Sequence, residues 1–287
     1  MRVCVAVPAT SANLGPGFDC FGLALDLCNE ITIDTGAQPG VTWEGEGAAE
    51  LPTDGSDRTT RTMEAVAAAA GLQMPPLQMR ALNRIPLERG LGSSAAAAVA
   101  GVLLADSVLG LGLGTTDLLS SAVGVEGHPD NAAAALLGGF TIAFHPDGVV
   151  RLDPEPGLRP VLLVPGSRLS TDRARRALPD QVPRADAVHN LSRSALVVVA
   201  MTGRLELLGP ALEDRLHQDR RLAEVPPVRD VFERLRSEGV AICVSGAGPS
   251  LLAFETGDRS VPDPGDGWQA MRPGIRAAGA EVTVLEG

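Results

Sequence analysis

The segment Gly90-Leu91-Gly92-Ser93-Ser94-Ala95 has the residue types of an anion-binding loop. Its two glycines allow the backbone to turn tightly and to approach a ligand without an intervening side chain. The alanine-rich run after it predicts a helix, whose unpaired N–H groups and positive dipole end would face the loop. Phosphate is the anion that such sites most often bind. The sequence therefore predicts a site for a phosphorylated ligand.

The absence of lysine limits what kind of phosphate site this loop can be. A Walker-type loop ends in Gly-Lys-Ser/Thr, so that class is excluded. Chemistry that uses a lysine Schiff base, including that of pyridoxal phosphate, is excluded for the same reason. A nucleotide is therefore expected to be held by backbone N–H groups, hydroxyls and arginine.

The composition predicts a globular cytoplasmic protein without a nucleic-acid or membrane partner. The chain has 287 residues, of which 45% are hydrophobic, enough for one large or two modest domains. A net charge of −11 and an aromatic content of 3% disfavour nucleic-acid binding. The first residues have a strand pattern rather than that of a signal peptide, and the apolar run 95–104 is too short to span a bilayer. The four cysteines lack metal-ligand spacing, which is typical of reduced thiols in the cytoplasm.

Strand and helix patterns are interspersed without the regular alternation of a doubly wound sheet. Strand patterns cover residues 2–7, 31–33, 77–82, 138–144, 161–164, 240–245 and 282–285. Helix patterns cover residues 58–71, 95–109 and a segment from 115 towards 124, with further helical stretches in the second half. This arrangement predicts an α+β protein in two parts.

Three distant segments together resemble the GHMP kinases. They are PATSANLGPGFD (residues 8–19), PLERGLGSSAA (86–96) and SGAGPS (245–250). Each alone is a weak signal, but all three in this order span most of the chain. The first segment and EGHPDN (126–131) are most similar to the homoserine kinases within that family.

The resemblance implies a two-domain GHMP kinase fold with ATP and Mg²⁺ in a cleft between the domains. Residues 1–150 would form an ATP-binding domain like the second domain of ribosomal protein S5, and residues 151–287 a ferredoxin-like domain. The implied reaction transfers the γ-phosphate of ATP to the side-chain hydroxyl of L-homoserine in threonine biosynthesis. The resemblance also implies a homodimer.

The resemblance assigns the glycine loop to ATP. The implied ATP-binding residues are Pro86, Arg89, Gly90, Leu91, Gly92, Ser93, Ser94, Ala95 and Ala96. The hydroxyl of Ser94 and the carboxylate of Glu126 would hold Mg²⁺, which prefers hard oxygen ligands. A purely structural carboxylate is the alternative for Glu126.

A second set of residues would bind the amino acid. Homoserine carries an ammonium, a carboxylate and an alcohol, so its pocket needs an acid and a cationic fork. The implied residues are Asn13, Asp19, Thr171, Arg175, Arg221, Gly246 and Gly248. The alternatives are a solvated helix face for either arginine and a structural turn for residues 245–250.

His128, Asp130 and Asn131 would lie beside the attacking hydroxyl. We expect Asn131 to orient this hydroxyl, with Asp130 as a second carboxylate and without His128 as a general base. A loose phosphoryl-transfer transition state needs little help from a base, so positioning and charge neutralisation suffice.

Two other functions stay open at the level of sequence. One is a GHMP kinase that acts on an isoprenoid or sugar alcohol, and the other is a non-catalytic ligand-binding protein of the same fold. The two arginines together with Asp19 favour a zwitterionic substrate over a sugar. The complete set of glycines and serines in the loop favours a working kinase.

Overall fold

Eleven strands and nine α-helices are defined in the computed structural model, which describes residues 1–144, 146, 148–257 and 259–285. The strands are β1 (Arg2–Ala12), β2 (Phe21–Asp34), β3 (Gly40–Gly45), β4 (Gln78–Asn83), β5 (Phe140–Phe144), β6 (Gly148–Leu152), β7 (Arg159–Pro165), β8 (Ala241–Val244), β9 (Leu251–Glu255), β10 (Trp268–Met271) and β11 (Glu281–Leu285). The helices are α1 (Arg58–Ala69), α2 (Ser93–Leu109), α3 (Thr115–Glu126), α4 (Pro129–Leu137), α5 (Thr171–Arg176), α6 (Arg184–Met201), α7 (Leu208–Ala211), α8 (Gln218–Ala223) and α9 (Pro226–Ser237).

The first sheet is built on the long antiparallel pair β1–β2. Val3, Val5 and Val7 alternate along β1 and are fully buried, as expected when successive side chains point to opposite faces. The main strand order is β11-β1-β2-β4-β3, and β5 and β6 extend the sheet from β2. β3 and β4 are parallel, and the other pairs are antiparallel.

Helix α2 lies at the centre of the first part and presents the glycine loop at its N-terminus. Nearly every residue from Ala95 to Ala105 is buried, so the helix has no polar stripe. It packs against β1 and against α1, α3 and α4. Gly110 ends it with a left-handed conformation at φ 62°.

The second sheet has the order β10-β7-β9-β8, which is the strand order of a ferredoxin-like domain. Both faces of this sheet are packed against other elements, and alternate residues of β7 point to opposite faces. Val161 and Leu163 pack in a cluster with Phe232 of α9, whereas Leu162 and Val164 belong to the main core with residues of α6. The predicted α+β architecture in two parts is confirmed.

The end of the chain returns to the first sheet. β11 pairs with β1, and Val284 and Val282 lie opposite Val3 and Val5. The sequence assigned all of residues 151–287 to the second part, and the limit at residue 150 falls inside β6. The division of the chain into two domains at residue 150 stays a prediction. The last strand, β11, belongs to the first sheet and not to the second. Over the described part of the chain, no helix is both long and apolar enough to cross a bilayer.

Candidate active site

A cavity of about 340 Å³ lies where both parts of the molecule contribute loops and helix ends. All but three of the predicted site residues line it, including all three predicted arginines and both candidate metal ligands. The exceptions among the described residues are Ala95, Ala96 and Gly248. Five further lining residues were not predicted: Arg58, Glu88, Ser170, Asp172 and Ala247. The cavity thus gathers segments that are far apart in sequence.

The glycine loop takes a conformation that only glycine fits at two positions. Gly90 and Gly92 have φ angles of 70° and 69°, in the left-handed region. A Cβ atom on Gly92 would lie 1.9 Å from Oγ1 of Thr10, and one on Gly90 would lie 2.2 Å from the carbonyl oxygen of Ser245. The loop is therefore held closely between β1 and the turn at residue 246.

Three predicted ligand-binding residues lie outside the cavity wall, and two of them already use their N–H groups within the protein. Ala95 and Ala96 are buried under the loop, and the N–H of Ala96 already donates to the carbonyl of Gly92 at 2.8 Å. Gly248 lies in a tight turn, where its N–H donates to the carbonyl of Ser245 at 2.8 Å. The N–H of Ala96 is thus unavailable to a phosphate, and Gly248 shapes the wall behind Gly90.

Arg89 lines the cavity, but its guanidinium binds protein. Nε donates to the carbonyl of Ser167 at 2.8 Å, and Nη2 donates to that of Gly166 at 2.9 Å. These carbonyls follow β7, in the second part of the molecule. Arg89 therefore ties the glycine loop to that strand's end, a role that its sequence context does not predict.

Ser94 and Glu126 meet at the N-terminus of α2. The Oγ of Ser94 donates to Oε2 of Glu126 at 2.7 Å, and Nη1 of Arg58 is 3.3 Å from the same oxygen. A hydroxyl and a carboxylate are hard oxygen donors, so this pair fits Mg²⁺. Within the ranges that the structure describes, no three His, Cys, Asp or Glu residues cluster as a metal site. A cation here would therefore need further oxygens from a phosphate or water.

Asn131 is held with its amide oriented. Its Oδ1 accepts a hydrogen bond from the hydroxyl of Thr10 at 2.8 Å, and its Nδ2 donates to Oδ1 of Asp130 at 3.3 Å. The backbone N–H of Asn131 donates to the same carboxylate oxygen at 2.8 Å. An amide with one bond at each end keeps one donor and one acceptor site for a ligand.

Asp130 is a buried acid with a perturbed pKa. Burial raises its pKa to about 7, and the nearby carboxylate of Asp19 adds to this, while the N–H of Asn131 and the charges of Arg221 and Arg175 oppose it. A carboxyl group that titrates near neutrality inside a cleft is a feature of functional sites.

Arg175 forms a two-pronged ion pair with Asp19 across the cavity. Its Nη2 and Nη1 lie 2.9 and 3.1 Å from the two carboxylate oxygens. Asp19 has a left-handed φ of 56°, and its N–H donates to Oδ1 of Asn13 at 2.9 Å. The Nδ2 of Asn13 donates in turn to the carbonyl of Gly246 at 2.9 Å. The predicted acid, Asp19, and the predicted cationic fork, Arg175, therefore lie together and form an ion pair with each other.

Arg221 is more deeply buried than Arg175, with 4% of its surface exposed. Its Nη1 donates to the carbonyl of Gly246 at 2.6 Å and lies 3.2 Å from Nδ1 of His217. Burial lowers its pKa to about 10, so the side chain stays charged at neutral pH. Its buried Nε has no hydrogen-bond partner among the described residues. A solvated helix face is thereby excluded for Arg221.

His217 supports Arg221 from behind and was not predicted as a site residue. Its Nε2 lies 2.7 Å from the carbonyl of Gly15, which only accepts, so Nε2 carries the hydrogen. Nδ1 is then the acceptor for Arg221. Burial lowers the pKa of His217 to about 4, which keeps the ring neutral. No local sequence signal identifies this pairing, because the carbonyl is about two hundred residues away.

A second cavity of about 200 Å³ adjoins the first and shares Arg58 and Ser93 with it. Its walls include the apolar side chains of Trp43, Leu51 and Leu87. It therefore combines a position beside the glycine loop with a surface suited to a flat, apolar group.

Known proteins resemble the chain in both sequence and structure. The family descriptions "GHMP kinases N terminal domain" and "GHMP kinases C terminal" match residues 57–139 and 192–260. A homoserine kinase from Streptomyces avermitilis is 43% identical over 98% of this chain and 95% of its own length. One from Moorella thermoacetica is 41% identical over 98% and 95%, respectively. The crystal structure of homoserine kinase from Cytophaga hutchinsonii has a TM-score of 0.85 and 26% identity, covering 98% of this chain and 97% of that one.

Proposed function

The chain belongs to the GHMP kinase family and is an ATP-dependent kinase, and we propose that its cleft transfers the γ-phosphate of ATP to the side-chain hydroxyl of L-homoserine. The product would be O-phospho-L-homoserine, for threonine biosynthesis. The observation that carries the proposal is the placement of Arg175, Arg221 and Asp19 in the cavity that also contains the glycine loop.

The charges at this end of the cavity fit an amino acid. The ammonium of homoserine would replace Arg175 as the partner of Asp19, and its carboxylate would replace Asp19 as the partner of Arg175. Arg221 would add a second cation to the carboxylate site, in which guanidinium groups form directed hydrogen bonds. A sugar alcohol offers neither charge, and a hydroxy acid such as mevalonate offers only one. The pairing therefore favours a zwitterion.

The glycine loop is proposed to bind the triphosphate through the free N–H groups at the start of α2, those of Ser93, Ser94 and Ala95. Ser94 and Glu126 would hold Mg²⁺, which when bound neutralises phosphate charge. The existing hydrogen bond between these two side chains keeps their oxygens together. The nucleoside is proposed to occupy the second cavity, against Trp43 and Leu87.

Asn131 is proposed to orient the attacking alcohol. Its free carbonyl lone pair would accept a hydrogen bond from the hydroxyl, or its second N–H would donate one to the hydroxyl oxygen. Thr10 and Asp130 fix the amide in the orientation that allows either. This role is positional, and it suits phosphoryl transfer, in which alignment and charge neutralisation supply most of the rate. His128 lines the same wall, and the proposed mechanism needs no proton transfer to it.

We propose a homodimer on the family resemblance alone, and a cytoplasmic location on the four cysteines, which lack metal-ligand spacing. Light scattering coupled to size-exclusion chromatography tests the dimer, and cell fractionation tests the location. A monomer at micromolar concentration would contradict the first part.

The experiment for the proposed function measures ADP release by the purified protein with Mg-ATP and one of four alcohols. These are L-homoserine, L-serine, mevalonate and galactose. We expect turnover with L-homoserine far above the other three. Turnover confined to mevalonate or galactose would keep the kinase and reject the zwitterion pocket. ATP binding without turnover of any of them would favour the ligand-binding alternative.

A further inference from the structure

Phe18 contacts both guanidinium groups of the proposed carboxylate site. The Cζ atom of Arg175 lies 5.6 Å from the ring centroid, and that of Arg221 lies 5.3 Å from it. Both distances fall within the range at which the ring quadrupole attracts a cation. Phe18 itself is half-buried. One aromatic ring is therefore shared by Arg175 and Arg221.

A contact that persists when substrate binds would keep these two guanidinium groups in place. Like charges in one pocket repel each other. In the described structure, the only carboxylate that forms an ion pair with Arg175 is that of Asp19. Under the proposed function, this ion pair opens when the zwitterion enters. A ring attracts a guanidinium without a conventional hydrogen bond, so the N–H groups remain available to a carboxylate. The contact with Phe18 can therefore be kept in both states.

The ring is held in place by the loop that carries Asp19. Its centroid lies 5.3 Å from that of the His217 ring, at an interplanar angle of 35°. The carbonyl of Gly15 fixes His217, and the N–H of Asp19 is fixed by Asn13. Phe18 and Asp19 are adjacent in the chain. The position of the cation pair is thus coupled to the position of the acid that would bind the ammonium.

We propose that Phe18 is a positioning residue that sets the two guanidinium groups at the spacing required by the α-carboxylate of the acceptor. The proposal rests on the proposed function. Phe18 thereby contributes to the preference for amino acids over alcohols without a carboxylate. It acts through the two arginines and does not contact the reacting atoms.

The test compares Phe18→Leu, which keeps an apolar side chain and removes the ring, with Phe18→Tyr, which keeps the ring. For Phe18→Leu we expect KM for L-homoserine to rise roughly tenfold, with kcat and KM for ATP within about twofold of wild type. Phe18→Tyr should restore KM to within about threefold of wild type. Phe144→Leu is the matched control, because Phe144 lies on the surface with 48% exposure and outside the cavity.

A double-mutant cycle with Arg175→Ala separates positioning from packing. If Phe18 acts through the arginines, its replacement by leucine should change kcat/KM less in the Arg175→Ala background than in wild type. Strictly multiplicative effects, or an unchanged KM in Phe18→Leu, would overturn the proposal. An equal rise in KM for L-homoserine in Phe18→Leu and Phe18→Tyr, together with lowered melting temperatures, would also overturn the proposal. That result would show that Phe18 only packs. A wild type that fails to phosphorylate homoserine would instead reject the proposed function.

Discussion

At the scale of single residues, the substrate end of the cleft combines groups whose charges are already matched to one another. Arg175 faces Asp19, and Arg221 is buried against the carbonyl of Gly246. A substrate with both charges can enter without leaving either group alone. This is the physical reason why an amino acid suits the pocket better than a neutral alcohol, which would open the ion pair without replacing its charge-assisted hydrogen bonds.

Replacing Arg175 with alanine should raise KM for L-homoserine roughly 10- to 100-fold, because it removes charge-assisted hydrogen bonds to the carboxylate. KM for ATP should change much less. Steady-state kinetics with each substrate varied in turn measures both. Arg176→Ala is the matched control, because Arg176 is an exposed neighbour on the same helix and does not line the cavity. Equal effects on the two KM values would contradict the assignment.

The stability of the protein should depend on the protonation of Asp130. Burial raises its pKa to about 7 in the folded state, above about 3.9 in an unfolded chain. The folded state therefore holds a proton that the unfolded state releases at lower pH. The contribution of this group is complete below about pH 4 and is lost as the pH rises through about 7.

Asp130→Asn removes this titration and keeps an oxygen acceptor. Between pH 5 and pH 8, the melting temperature of wild type should fall by roughly 5 °C more than that of the variant. Differential scanning calorimetry at several pH values measures this difference. Asp172→Asn, at an exposed position on the cavity rim, should keep the wild-type profile. Parallel profiles for wild type and Asp130→Asn would refute the assignment.

Some residues of the site were predictable and others were not. The glycines and serines of the loop carry a local signal, because backbone geometry and helix termini depend on neighbours in sequence. Arg58 and His217 carry none, and Phe18, although it lies within the segment 8–19, carries no signal of its contact with the arginines. Arg58 reaches Glu126 from a helix 68 residues earlier, and its role exists only after folding.

At the scale of elements, the glycine loop depends on β1 for its shape. Oγ1 of Thr10 fills the space that a Cβ on Gly92 would need, and the N–H of Thr10 donates to the carbonyl of Leu91 at 3.1 Å. The first strand thus fixes the loop and also orients Asn131 through the same threonine hydroxyl.

Gly92→Ala should therefore lower both stability and activity, because it adds a steric clash to a left-handed φ. Gly110→Ala at the other end of α2 is the matched control, since its φ is 62° and the added Cβ would meet no other part of the described structure within 4 Å. The control should cost about 1 kcal/mol and keep kcat/KM. Gly92→Ala should cost more and reduce kcat/KM at least tenfold, as measured by chemical denaturation and kinetics. Equivalent behaviour of the two variants would disprove this account of the loop.

The sequence predicted α2 closely but missed α4. The predicted helix from residue 95 to 109 corresponds to α2 (Ser93–Leu109). The nine-residue α4 starts with Pro129 at its first position and ends at Leu137, just before Gly138, but it is short and rich in alanine. Such a segment has little amphipathic periodicity, so tertiary packing against β1, β2 and β5 decides its structure.

At the scale of the whole molecule, the cleft is made by contacts between the two sheets' loops. The hydroxyl of Ser245 lies 2.8 Å from that of Ser11 and donates to the carbonyl of Gly90 at 2.8 Å. The turn that follows β8 is therefore part of the wall behind the phosphate loop. The pairing of β11 with β1 was not predictable, because a five-residue strand carries no information about a partner 280 residues away.

The GHMP kinase fold explains why the acceptor site and the phosphate site face one cavity. Residues of the first loop, the glycine loop and α4 come from the first part, and Arg175, Arg221 and Gly246 come from the second. Each part alone lacks half of the proposed chemistry. Transfer therefore requires both parts in the arrangement that Arg89 and Ser245 stabilise.

Phosphorus-31 NMR of the reaction mixture tests the central claim most directly, because ADP release alone does not separate transfer from hydrolysis. With Mg-ATP, L-homoserine and the wild-type protein, we predict loss of the γ-phosphate signal and growth of a phosphomonoester signal coupled to the side-chain CH₂ protons. Formation of inorganic phosphate without that ester, or the ester appearing only with a different alcohol, would contradict the account.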